Sequence, residues 1–369
     1  MDKRKISVIS SYAYITIYNN YGALLQYYAL EQYLKQRNLE SSWIRFRFRR
    51  ACFPFVQLSY CRKYIPHFFI LWGNLKTHNA FMRFCNRKIT CSKRTFTGES
   101  ALEKYSPEAD CYISGSDQVF GGTSEPNFLR FVRDNHKKIA YAASFGRDVL
   151  SDEQIAANVP EWIKEFRAVS VREESGVVLC ESIGVKAVHV LDPTLLVDVS
   201  VYAHLFKMCK QKKKYLRAYF MNIKSKRNVF YADIKAFIDS KGYGLKITAV
   251  GEAAKLFPVK YLCFPSPEKW IESYANAECV VTNTFHGMVF AIIFHKPFAV
   301  VMQKGLTASA NNRFYSLLRK LHLENCIFDG EKCSITDYFD NLHIDWKKVD
   351  DVIHEERKKT DLFFSKVGL

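Results

Sequence analysis

Short runs rich in β-branched and aromatic residues alternate along this chain with longer segments whose apolar residues recur every three or four positions. KISVISS, DCYISGS, KKIAYAASFG, AVSVRE and KAVHVLDPT read as strands. GALLQYYALEQYLKQRN, DEQIAANVPEWIKEF and ESGVVLCESIG read as the helices between them, the first with Leu24, Leu25, Tyr28, Leu30 and Leu34 available to one packed side. After Leu196 the alternation pauses in VDVSVYAHLFKMCKQKKK, which reads as a hinge with a short helix. A second series follows. YLRAYFM, LKITAV, ECVVTN and PFAVVM are its strands, and RNVFYADIKAFIDSKG, SPEKWIESYANA, HGMVFAIIFHK and ANNRFYSLLRKLHL its helices. Ser266 followed by Pro267 is an N-cap and first-turn pair. Alternation of this kind predicts parallel sheets with crossover helices, in two Rossmann-like α/β domains.

The expected boundaries are an N-terminal domain over 1–200, a C-terminal domain over 201–345 and a closing helix over 346–369. Ligands bind such sheets at the carboxyl ends of their strands. The polar residues there are Asn19, Asn20 and Gly22, then Ser114 to Gln118, Ala143 to Arg147, Arg172, Asp192, Gly251 with Glu252, and Asn283 to Gly287. His286 stands where an apolar strand hands over to an apolar helix. It reads as a structural histidine, a metal ligand or an acid/base at a cleft, and the lack of nearby Cys/His/carboxylate spacing makes the metal the weakest of the three. No GxGxxG, Walker A, DxD, GxSxG or HExxH motif appears in its proper context.

Length and composition narrow this further. A chain of 369 residues, 48% hydrophobic, suits two globular domains. No stretch reaches the length of a bilayer span, and the N-terminal residues lack the apolar core of a signal peptide, so a cytoplasmic location is expected. The eleven cysteines form no CxxC pair and several fall inside strands, as expected of buried free thiols; no structural zinc is expected. The net charge of +17 is unevenly spread: residues 41–98 hold twelve Lys/Arg and no Asp or Glu, interleaved with aromatics from Trp43 to Phe84. That composition suits nucleic acid, an anionic membrane interface, or a solvated basic face over an ordinary core.

The ordered blocks NYGALLQYYALEQYLK, ISGSDQVF, YAASFG, SVREESGVVL, VLDPTLLV and TNTFHGMVFAIIFHKPFAVV together resemble the polysaccharide pyruvyl transferase family. The resemblance implies a GT-B-like architecture, two Rossmann-like domains facing an interdomain cleft. It further implies transfer of pyruvate from phosphoenolpyruvate onto two hydroxyls of a sugar, often on a lipid carrier at the cytoplasmic face, giving a cyclic ketal. On this reading phosphoenolpyruvate is a substrate and no cofactor or metal is required. His286 matches the proton donor, with Thr284 where the family often has arginine. Arg172, Lys304 and Arg313 match anion ligands. Asp117 matches a carboxylate that accepts or orients a sugar hydroxyl, with an N-cap that holds its loop as the rival reading, and Ser116, Gln118, Asn20 and Asn283 match substrate contacts. Asp192 is expected to organise its loop, and His295 to pack or cap. The basic stretch, taken as an insertion over about 41–105, would face the membrane or acceptor, placing the protein peripherally at the inner face of the plasma membrane. A nucleotide-sugar glycosyltransferase of the same architecture is the alternative, and nucleic-acid binding leaves the strand-end blocks unexplained.

Overall fold

A computed structural model describes residues 3–10, 19–47, 67–206, 213–303 and 311–369. The first domain contains β1 (Lys5–Ile9), α1 (Tyr21–Gln36), β2 (Glu40–Arg47), α2 (Phe68–Lys88), β3 (Cys91–Thr97), α3 (Glu99–Tyr105) and β4 (Cys111–Ser114). It continues through β5 (Lys138–Ala143), α4 (Asp152–Ala156), α5 (Val159–Lys164), β6 (Ala168–Val171), α6 (Glu174–Ser182) and β7 (Ala187–His189). Its strands form one parallel sheet in the order β3-β2-β1-β4-β5-β6-β7. After α7 (Val199–Ala203), the second domain contains β8 (Tyr215–Phe220), α8 (Tyr231–Ser240), β9 (Gly244–Ala249), α9 (Pro267–Ala275), β10 (Cys279–Thr282), α10 (Phe285–Ile293), β11 (Phe298–Val300), α11 (Asn312–Lys320) and α12 (Ile335–Asn341). Its parallel sheet runs β11-β10-β8-β9. The strand order reverses between β1 and β4 in one sheet and between β8 and β10 in the other, and crevices open at such switch points.

The inner strands of both sheets are buried on both faces, as helices packed on each side require. β5 and β8 are buried along their whole length. The two domains are not separate cores. One apolar cluster holds Leu24, Leu25 and Tyr28 of α1 together with Met288, Val289 and Phe290 of α10 and Trp270 of α9. Tyr21 stacks on Trp270 with ring centroids 5.0 Å apart, and its hydroxyl donates to the Pro265 carbonyl at 2.7 Å. A closing helix, α13 (Trp346–Lys366), returns to the first domain. There Phe364 packs on Tyr141 and Tyr33, while Arg37 pairs with Asp361. Arg357 donates to the carbonyls of Leu195 and Val197, which ties this helix to the segment joining the domains.

The stretch expected as an insertion is instead part of the first sheet. β3 is its edge strand and β2 lies between β3 and β1, with Trp43, Ile44, Phe46 and Phe96 buried. Their strand signal is disguised by the half-buried Arg45 and Arg47 of β2 and by Lys93 and Arg94, charges that the edge strand β3 carries toward water. Residues 48–66 lie outside the described residues. The helix expected across DEQIAANVPEWIKEF divides into α4 and α5 at Asn158, whose φ of 60° is left-handed. Ser266 caps α9 by accepting from the Lys269 N–H, with Pro267 in the first turn. Every cysteine among the described residues is free.

Candidate active site

The candidate side chains gather where the carboxyl ends of β4, β6 and β7 meet the start of α10. Arg172 follows β6 directly, and its side chain is fully buried. Its Nη1 donates to Asp192 at 3.0 Å, its Nη2 to Asp117 at 3.3 Å, and its Nε lies 3.8 Å from Glu173. Glu173 in turn accepts from the N–H groups of Phe145 and Gly146. Burial works against the Arg172 charge, but the three carboxylates outweigh it and raise its pKa.

Asp192 is the hub of this network. One carboxylate oxygen accepts from the N–H and hydroxyl of Thr194, and the other from the Ser116 hydroxyl and Arg172. Nε2 of His286 stands 3.6 Å from the second oxygen, within ion-pair reach yet beyond hydrogen-bond length, and has no hydrogen-bond partner among the described residues. Burial opposes ionisation of Asp192, but His286, Arg172 and Thr194 hold its carboxyl well below the usual carboxylate range. Asp117 is also lowered: Arg172, His286 and Arg313 overcome its burial. Asp117 itself adopts a φ of 78°, left-handed backbone that a non-glycine residue keeps only where its surroundings fix it.

The local sequence around His286 explains its pose. Thr284, where an arginine was anticipated, is the N-cap of α10: its hydroxyl accepts from the Gly287 N–H at 3.1 Å and meets the Thr282 hydroxyl at 2.9 Å. A Cβ on Gly287 would stand 2.3 Å from the Thr282 hydroxyl, so the TNTFHG knot closes only with glycine there. His286 therefore occupies the first turn of α10 and presses across the domain seam onto α1. A Cβ added to Gly22 would lie 2.0 Å from His286 Nδ1. That glycine is what lets the histidine of one domain reach the carboxylate of the other.

Arg313, near the start of α11, differs from Arg172. Its guanidinium lies 5.9 Å from the Phe285 ring centroid, and Arg172 lies 4.6 Å from the same ring. Among the described residues Arg313 has no ion pair, and its enclosed Nε has no acceptor. Burial and the neighbouring Arg172 cation lower its pKa to about 10, so it stays charged at neutral pH.

The sequence candidates therefore divide. His286, Asp117, Arg172, Arg313 and Ser116 converge, although Ser116 spends its hydroxyl on Asp192. Both ends of the Asn283 amide bond the backbone of Met221, at 3.0 and 2.7 Å, locking the ends of β8 and β10 together instead of leaving them free for substrate. Asn20 caps α1 through the Ala23 N–H. Gln26 donates to the Ser10 hydroxyl. Gln118 lies exposed over Gly146, where a Cβ would come within 2.2 Å of its Nε2. Lys304 lies outside the described residues. His295 pairs with Asp350 and stacks on Trp346, away from the site. Two contributors were missed, the hub role of Asp192 and the Glu173 clamp on the β5 end. An acid beside an arginine and an Asp-Pro after a strand were visible, but both patterns are commonplace in turns.

The family model described as polysaccharide pyruvyl transferase matches residues 20–304. The chain belongs to that family. The match runs from the cap of α1 to the end of β11, and so covers every converging residue except Arg313. Members of the polysaccharide pyruvyl transferase family are transferases, and the two-domain GT-B architecture is the one seen here. The fold is similar to that of a UDP-GlcNAc 2-epimerase from Methanocaldococcus jannaschii, at 12% identity and a TM-score of 0.52 over 95% of this chain and 98% of that one. It is likewise similar to UDP-N-acetylglucosamine 2-epimerase from Rickettsia bellii, at 10% identity and a TM-score of 0.53 over 100% and 98% of the two chains. At such identity the likeness concerns the fold alone. No curated protein matches the sequence. Among the described residues no helix is long and apolar enough to cross a membrane, and no cluster of three or more His, Cys, Asp or Glu side chains could hold a metal ion.

Proposed function

We propose that this pyruvyl transferase uses phosphoenolpyruvate as donor and a lipid-linked sugar as acceptor, forming a cyclic ketal on a bacterial surface-polysaccharide precursor. The observation that carries this reading is the Arg313 guanidinium, unpaired among the described residues, beside a buried histidine–carboxylate pair. A donor bearing a phosphate and a carboxylate needs cationic ligands, and its enol carbon needs a proton. Arg313 meets the first need, together with the α10 N-terminus, whose first N–H groups have no acceptor within the helix. Lys304, outside the described residues, is the second anion ligand that the family resemblance implies. Arg172 holds Asp117, Asp192 and Glu173 in place and acts on the donor through them.

In the proposed sequence the His286 imidazolium gives its proton to the terminal enol carbon, which becomes the methyl group. A sugar hydroxyl adds to the adjacent carbon as its proton passes to Asp117. The second hydroxyl then bonds the same carbon, the C–O bond to phosphate breaks, and inorganic phosphate departs with the second hydroxyl's proton. The proton on Asp117 returns to His286 for the next turnover. Asp192 supplies the negative charge beside the imidazolium. A dianionic donor arriving at Arg313 adds another near the same ring.

Incubation with phosphoenolpyruvate and a panel of lipid-linked sugars tests the reading. It expects phosphate release that depends on the acceptor, with a matching pyruvyl mass gain. His286→Ala is expected to cut turnover by about 10²–10⁴-fold while donor affinity stays within a few-fold. Release of a nucleotide from a nucleotide sugar in the same assay would favour the glycosyltransferase alternative.

A further inference from the structure

The outer face of α2 has no role in the site. This helix contains no acidic residue, and its exposed positions Phe68, Trp72, Lys76, Asn79, Arg83 and Arg87 fall on one stripe at steps of three and four. Phe68, Phe69 and Trp72 are 73%, 43% and 52% exposed, three large aromatics within five residues. Phe69 and Trp72 lie 6.4 Å apart, and Lys76 reaches back over the Trp72 ring at 5.2 Å. A surface of this kind carries an apolar tip and a cationic flank with no acidic residue on the helix itself, which is how an interfacial helix meets an anionic bilayer.

The opposite face of the same helix spans the domain seam. Ile70 belongs to the core of the second domain, while Phe81 and Phe84 belong to the cluster shared with the first. Gly73 admits the Phe264 ring, since a Cβ there would be 2.4 Å from it. The Asn74 carbonyl accepts from Asn19, at 3.2 Å, just ahead of the α1 turn that carries Gly22. From Gly22 the next contact is His286. The aromatic tip is thus tied rigidly to the seam that holds the reacting groups.

We propose that Phe68, Phe69 and Trp72, flanked by Lys76, Arg83 and Arg87, dock the enzyme on an anionic lipid surface, presenting the domain seam to an acceptor held in that surface. The aromatic rings enter the headgroup boundary and the cations meet lipid phosphates, so the orientation of α2 sets the orientation of the seam. This extends the proposed function by naming a docking partner, and its test does not depend on the chemistry of transfer.

The full chain is sedimented with vesicles of phosphatidylcholine alone and of phosphatidylcholine mixed with phosphatidylglycerol. Binding to the mixed vesicles only, weakening with salt, is expected. A variant with Phe68→Ser, Phe69→Ser and Trp72→Ser should lower that partition at least about tenfold. Lys76→Gln, Arg83→Gln and Arg87→Gln together should remove most of the salt dependence. Trp72 fluorescence should be quenched by lipids labelled near the headgroup. The aromatic variant should keep acceptor-dependent phosphate release with a water-soluble sugar, so a silent wild-type enzyme would count against the proposed function and leave docking to be judged by sedimentation. Unchanged partition in the aromatic variant, equal binding to uncharged vesicles, or a wild-type dimer that the variant dissolves would each overturn the proposal. The last would make the stripe a surface for a second copy.

Discussion

Arg172 and Arg313 flank the same aromatic ring, yet one is saturated with charge and the other is not. Arg172 sits among Asp117, Glu173 and Asp192 with no exposure, whereas Arg313 has no ion pair among the described residues. A buried cation surrounded by carboxylates fixes geometry, and removing it strands the charges it held. A cation left unpaired at a seam pays a desolvation cost that an incoming anion can offset. The first domain thus supplies a rigid charged frame, and the second brings to it a histidine and an open guanidinium.

The contrast can be broken most severely at Arg172. Arg172→Ala should cost about 3–5 kcal/mol of stability, read by denaturant unfolding, because three buried acids lose their partner. Arg313→Ala should do the reverse. It should weaken phosphoenolpyruvate binding by about 10- to 100-fold, the worth of one or two charged hydrogen bonds, while leaving the unfolding midpoint unchanged or higher. Calorimetric titration checks the affinity. A destabilised Arg313→Ala with intact donor binding would erase the distinction between the two arginines.

A smaller effect comes from His189, whose ring contacts the Arg172 carbonyl at 3.2 Å. Burial, aided by the nearby Lys320 charge, lowers its pKa to about 4. Because the folded value lies below the unfolded one, this histidine's contribution is complete above about pH 6.5 and is lost as the pH falls toward 4. His189→Gln should flatten the stability profile in that window by about 1–2 kcal/mol, measured by unfolding at a series of pH values. Smallest is the ring itself. Phe285→Leu combined with Arg313→Ala should show a coupling of about 0.5–1 kcal/mol in donor binding, and no coupling would mean that the ring only fills space.

Much of the fold was legible because buried parallel strands and amphipathic helices leave strong periodic signals. The runs at Cys111, Lys138, Ala168, Tyr215 and Cys279 all proved to be strands. β2 and β3 were hidden because ESSWIRFR and CSKRTFT carry charge between their apolar positions. In the site, residue type and strand-end position brought out His286, Asp117, Arg172 and Arg313. What each does once folded was less visible. Ser116, Asn20 and Asn283 have the chemistry of substrate ligands, but the fold occupies their polar atoms with Asp192, Ala23 and Met221. A side chain's free hydrogen-bonding capacity depends on its neighbours in space.

The sequence by itself determined the alternation of elements, the two-domain α/β architecture and the set of polar strand ends, since these follow from local periodicity and turn chemistry. Tertiary structure alone decided which of those ends meet. His286 and Asp192 are 94 residues apart in the chain and belong to different domains, and they approach because Gly22 and Gly287 leave room where any Cβ would collide. It also decided which arginine is left without an ion pair among the described residues, because burial and pairing are properties of the assembled seam.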